Sequence, residues 1–204
     1  MYRRLFIALI SIAFAAVDFG TGAYGFGLGY THQLKWSLER IEFDTPTLAP
    51  FAHVQFCLRY PHECRVQHVV FHGGKVRMTE RRWAQLEAIN ARVNRSISPE
   101  DDLRALRKGW TIAPREGNCA DYAVTKRHEL LALGWPERAL LLSEVVTPWG
   151  EHHLVVVVRT REGDFVIDNL SPEIRPWFRT PYQWVRIQSP SNPNFWSTLK
   201  ETAA

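Results

Sequence analysis

The hydrophobic period of the chain changes near residue 136, and that change constrains the fold more than any other feature of the sequence. Upstream, Trp83, Leu86, Ile89 and Val93 recur at steps of three, three and four, which predicts an amphipathic helix with Thr79 as N-cap and an end near Ser96. A second helix is bounded at both ends. Asn118 is a good N-cap with Asp121 three positions on, a variant of the capping box, and Gly134, Trp135 and Pro136 stop the helix. Ala120, Ala123, Val124, Leu130 and Leu131 give it an apolar side, and Lys126 to Glu129 a polar one. Downstream, Ala139 to Thr147, His153 to Thr160, Asp164 to Leu170 and Gln183 to Ile187 are rich in Val, Leu, Ile and aromatics and are bounded by turn residues, as antiparallel strands are. Helices first and strands after predict an α+β fold. Residues 30 to 78, with prolines at 46, 50 and 61 and the broken apolar stretch HVVFHGGKV, read as loops and short helices.

The N-terminus is a separate matter. Met1 to Arg4 is a short basic start, and Leu5 to Val17 are thirteen largely apolar residues, a pattern that resembles a secretory signal peptide. As a helix such a segment rises about 20 Å, against roughly 30 Å of membrane hydrocarbon, so a spanning anchor is the weaker reading. The organisation read from the sequence is therefore a signal peptide over 1–17, an irregular linker over 18–46 and one domain over 47–204, in the periplasm or secreted. Any membrane association would run through the N-terminal segment. Lys and Arg exceed Asp and Glu by four, and by two once Arg3 and Arg4 are set aside. The basic residues are scattered along the chain, which argues against nucleic acid as a partner.

Of three cysteines, Cys57 and Cys64 are seven apart in FCLRYPHEC and read as a disulfide in an exported protein. Cys119 remains. It falls in the first turn of the second helix, where unpaired backbone N–H groups and the positive end of the helix dipole favour thiolate over thiol. A thiolate nucleophile needs an acid–base partner, and that partner needs a third group to orient it. His153 and Asp168 fit these roles by parity. In an antiparallel hairpin, paired positions sum to a constant: 325 for a two-residue loop at Glu162 and Gly163, 323 for a four-residue loop over Thr160 to Gly163. Either sum puts His153 and Asp168 on one face, and with the longer loop Asp168 is a diagonal neighbour of His153, with His152 turned the other way. Two other readings compete. One is a metal site built from His62, His68, His72 and the Cys57/Cys64 pair, weakened because a disulfide consumes both thiols. The other is a non-catalytic binding module whose eight tryptophans line a groove.

The blocks GNCADYAVTKRHELLALGWP and GEHHLVVVVRTREGDFVIDNL, preceded by FCLRYPHEC and GWTIAP, resemble the bacterial transglutaminase-like cysteine proteinases over about residues 47 to 198. That resemblance implies a papain-like core in its transglutaminase form, a Cys119–His153–Asp168 triad, peptide-bond cleavage through a thioacyl-enzyme, an exported or surface-anchored protein substrate, and room for a regulatory protein partner. It leaves open whether water or an amine takes the acyl group. One departure bears on cofactors. Calcium-using members carry acidic residues on both sides of the cysteine (GDCEDYA), where this chain has Asn118 and Ala120 and keeps only Asp121. Calcium binds through several carboxylate and carbonyl oxygens, so no cofactor and no calcium dependence are expected.

Overall fold

The capping signal at Asn118 is realised in the computed structural model, which describes residues 40–66, 75–100 and 108–200. Helix α3 runs Cys119–Ala132, and its start is a full capping box: Asn118 Oδ1 accepts from Ala120 N at 3.1 Å while Asp121 Oδ2 accepts from Asn118 N at 2.9 Å. Gly134 ends it with φ of 84°, a left-handed conformation that costs glycine nothing. Helix α2, Glu80–Ser96, starts at Thr79, whose hydroxyl accepts from Arg82 N, and buries Leu86, Ile89 and Val93 at the spacing of one helical face. Helix α1, Phe51–Arg59, lies in the stretch expected to hold loops and short helices, and its end is tied by the Cys57–Cys64 disulfide to a short 3₁₀ turn, Pro61–Cys64, with a Cα–Cα distance of 5.5 Å.

The strands are β1 (Phe43–Thr47), β2 (Ser98–Pro99), β3 (Glu116–Gly117), β4 (Leu140–Val146), β5 (His152–Thr160), β6 (Gly163–Ile167), β7 (Arg175–Pro176), β8 (Gln183–Gln188) and β9 (Trp196–Leu199). Seven of them form one antiparallel sheet in the order β1-β9-β8-β4-β5-β6-β7, while β2 and β3 pair separately and in parallel. The architecture is α+β, as the change of period predicts. Strands β4 and β5 alternate between two cores: Leu140, Leu142, Leu154, Val156 and Val158 face the helices, and Leu141, Val145, Val155 and Val157 face the opposite side, covered by Ile41, Phe43 and Trp177. Burial on both faces explains why these strands read as near-continuous apolar runs rather than alternating ones. Each buried Leu or Val contributes about 1.5–3 kcal/mol relative to exposure.

Three sequence expectations need correction. The β5–β6 register is Val156↔Ile167, the sum of 323, but Thr160 and Gly163 themselves pair, so the turn is only Arg161 and Glu162. Strand β6 stops at Ile167 rather than Leu170, because the ladder ends where Asp168 turns its carboxylate to other partners. The polar stripe of α3 is not a solvated face: Lys126 and Arg127 are 1% and 2% exposed, since α3 packs against α2 on one side and β4 and β5 on the other. Arg127 is held by Leu140 O, Glu63 O, Glu63 Oε2 and Glu137 Oε1 at 2.9–3.1 Å, a ring of acceptors that the sequence pattern does not reveal. The segment His68 to Gly74, the signal-like N-terminus and Asp101 to Leu106 lie outside the described residues.

Candidate active site

The turn before α3 sets the position of Cys119. The backbone N–H groups of Thr111 and Asn118 both donate to the buried Asp121 carboxylate, at 2.7 and 2.9 Å, so one side chain stitches the GWTIAP segment to the helix start. Burial raises the Asp121 pKa, and these two hydrogen bonds oppose the rise. Gly117 is required by the same contact, because a Cβ there would lie 2.5 Å from Asp121 Oδ2. A further bond, Ala113 N to Thr125 Oγ1 at 2.8 Å, fixes the segment one helical turn on.

Cys119 is a free, half-buried cysteine on a cleft lined also by Gly117, Asn118, His153, Asn169 and Leu170. His153, at the start of β5, is 5% exposed and its Nε2 lies 2.7 Å from Asp168 Oδ1. Nδ1 is the ring nitrogen that Asp168 does not use, and Cys119 lines the same cleft as His153. The structure thus brings together the three residues singled out by parity and helix position. Burial would lower the His153 pKa, but the hydrogen bond to Asp168, reinforced by the negative charge of Asp168 and the nearby Cys119 sulfur, pushes it up to about 9. These interactions favour the imidazolium form of His153, in which both nitrogens are donors. Burial would raise Asp168, yet hydrogen bonds from His153, Tyr182 and Leu170 N hold its carboxyl below the usual range.

Sequence reasoning missed the groups around Asp168. The Tyr182 hydroxyl donates to Asp168 Oδ2, Leu170 N donates to Oδ1 at 3.1 Å, and Asn94 Nδ2 donates to the Asp168 carbonyl at 3.0 Å. Lys126 lies beneath, its pKa lowered by burial to about 7 against the attraction of Asp168. Tyr182 sits in the aperiodic run TPYQW, and only the pairing of β8 with β4 brings it beside the β5–β6 hairpin. His152 is exposed, pairs with Glu144 at 2.7 Å and lines the same cleft as Cys119 and His153.

The oxygens beside Cys119 are engaged by the helix start itself. Asn118 Oδ1 accepts from Ala120 N, Ala120 offers no side-chain ligand, and both Asp121 oxygens accept from backbone N–H groups. The expected metal alternative fares differently from residue to residue. His62 is exposed, His68 and His72 lie outside the described residues, and Cys57 and Cys64 form the disulfide. His53, not singled out in the sequence, is the histidine packed against that disulfide, 3.5 Å from Cys57 Sγ. Of the described tryptophans, Trp135, Trp177 and Trp196 are buried in the cores and Trp149 is exposed on the turn beside the cleft.

A free cysteine at a helix N-terminus sharing a cleft with a strand histidine at the end of an antiparallel sheet defines the class of cysteine-nucleophile proteins. The chain belongs to the bacterial transglutaminase-like cysteine proteinase family, whose sequence profile matches residues 43–204. No curated protein is a significant match. Among solved structures the chain is similar to Legionella pneumophila LapG: 21% identity, TM-score 0.44, covering 52% of this chain and 62% of that one. The calcium-bound form of that protein gives 20% identity and a TM-score of 0.48, over 59% of this chain and 72% of that one. An EGTA-treated form gives 23% and 0.45, over 52% and 62%. Among the described residues, no helix is long and apolar enough to cross a membrane.

Proposed function

We propose that the protein is an exported peptidase in which Cys119, His153 and Asp168 form the catalytic triad, acting on a protein substrate outside the cytoplasm. The observation that carries this reading is the buried His153–Asp168 pair, 2.7 Å apart, on the same cleft as the free Cys119 at the start of α3. The Cys119 thiolate attacks the peptide carbonyl carbon, forming a C–S bond, and the resulting oxyanion is held by the Cys119 backbone N–H at the helix start. Collapse breaks the C–N bond as the His153 imidazolium passes its proton to the leaving amine. Neutral His153 then takes a proton from water, hydroxide adds to the thioester, and thiolate and acid product are released. Asp168 holds the imidazole in place throughout. Export is supported by the Cys57–Cys64 disulfide and the basic-then-apolar N-terminal run.

The direct test is the pH dependence of Cys119 alkylation in the protein with its disulfide intact, compared with His153→Ala. The reading expects rapid alkylation persisting at mildly acidic pH and lost in the variant. Slow alkylation, unaltered by removing the imidazole, overturns it. Peptide hydrolysis should fall as pH rises through about 9, where His153 loses the proton it gives to the leaving group. The same group acts on stability with a defined sign. Its pKa is raised above the 6.5 of an unfolded histidine, so its contribution is complete below that value and is lost as pH rises through about 9.

Calcium independence belongs to the same reading, because Asp121 already bridges the turn that an ion would otherwise tie together. Activity and thermal midpoint are expected to be the same in EGTA as in millimolar calcium. A gain of activity on adding calcium to chelator-treated protein would refute that.

A further inference from the structure

We propose that Tyr182 is a positioning residue for the catalytic pair, its hydroxyl gripping Asp168 Oδ2 so that Oδ1 stays aimed at His153. The inference rests on the assignment of Cys119, His153 and Asp168 as the reacting groups. Asp168 needs such a grip because it stands one residue beyond the last ladder pair of β6, Val156↔Ile167, so sheet pairing does not fix its side chain. The terminal torsion of an aspartate is broad and roughly two-fold, so a carboxylate held through one oxygen can rotate at little cost. Both His153 and Leu170 N use Oδ1. Oδ2 is the remaining handle, and Tyr182 holds it.

Two further features fit the role. The Tyr182 ring lies 5.7 Å from the His153 ring at 53°, so the same side chain that orients the carboxylate also walls the imidazole. Burial, followed by the hydrogen bond to Asp168, raises the Tyr182 pKa far above the ordinary phenol value, so the group stays a neutral donor across the working range. The other charges facing this cluster are Cys119 on His153, Lys126 on Asp168 from α3, and Arg175 on Tyr182 from β7. None of them replaces a donor on Oδ2.

The test is Tyr182→Phe in the full mature chain, which keeps the ring and removes only the hydroxyl. With the carboxylate free to turn, the imidazolium loses part of its support. The His153 ring titration, followed by NMR of histidine-labelled protein, should move down by about one pH unit from its value near 9. Alkylation of Cys119 by iodoacetate, an anion that the imidazolium attracts, should be retained at pH 6 and fall about two-fold at pH 8, where a His153 pKa of about 8 leaves half of the rings protonated, a split that a loss of packing alone would not produce. A 3-fluorotyrosine at position 182, which restores the donor, should return the titration to the parent value. A His153 titration unchanged in Tyr182→Phe, or moved upward, overturns the inference. His153→Ala in the same alkylation assay separates the two claims: if it leaves Cys119 reactivity intact, the triad reading fails first. If it abolishes that reactivity while Tyr182→Phe leaves the titration in place, only the role of Tyr182 fails.

Discussion

Cys119→Ala and His153→Ala are each expected to lower kcat/KM, on any peptide the parent protein cleaves, by about 10³–10⁴-fold or more. The size follows from what each group supplies. Without the thiol there is no covalent path, and without the imidazolium the leaving amine departs unprotonated. Because the two act as a unit, the double variant should be little worse than either single one, and that non-additivity is the sharper measurement. Independent effects that multiply would mean Cys119 and His153 serve different steps. Asp168→Asn should fall between these variants and the parent, since the imidazole keeps a hydrogen-bond partner but the negative charge that favours its protonated form is gone. Cys119→Ala should unfold near the parent's temperature, whereas His153→Ala and Asp168→Asn should be less stable because each breaks the buried His153–Asp168 pair, so activities are compared well below every midpoint.

The largest expected effect on stability comes from a residue with no place in the chemistry. Arg127→Met should destabilise the fold by about 3–5 kcal/mol, because it leaves two buried carboxylates without their cation. Side chains of Glu63 and Glu137 are 9% and 12% exposed, and both bond the same guanidinium, which also caps the Leu140 and Glu63 carbonyls. For a chain of this length that is a fall of roughly 10 °C in Tm, measurable by thermal or denaturant unfolding. Neutralising the partners in the same protein, with Glu63→Gln and Glu137→Gln, should recover much of the loss. Failure to recover it would place the cost in packing around the long aliphatic stem instead. The position of Glu63 is itself set by the disulfide at Cys64, so the bridge, the buried ion pairs and α3 form one connected support behind Cys119.

The local signals read from sequence were those in which neighbouring residues state the structure. The helix beginning at Cys119 needed only Asn118, Asp121 and Gly134 to be bounded, and the structure starts and stops it there. Parity of His153 and Asp168 survived a wrong turn assignment because a two-residue change in loop length preserves the face of every side chain. What the sequence hid depends on distant pairing. Strand β1 exists because Phe43 and Thr47 find Leu199 and Trp196 at the other end of the domain, and nothing in the run FDTPT announces that partner. Lys126 and Arg127 looked like surface charge because burial of a whole helix on all sides is a property of its surroundings. Tyr182 was invisible for the same reason, since its partner lies fourteen residues away across a loop.

The start of the described chain has a consequence for how the protein is mounted. Arg40 bonds the carbonyls of Thr160 and Arg161, and Ile41 N donates to Asp164 Oδ2 at 2.9 Å, so the polypeptide arrives at the β5–β6 turn. His153 stands at the opposite end of β5, seven residues from Thr160 or roughly 23 Å along an extended strand. A tether attached ahead of Arg40 would therefore pull on the pole of the molecule remote from the cleft. The described chain thus enters the domain at the end of β5 remote from His153 and the cleft it lines.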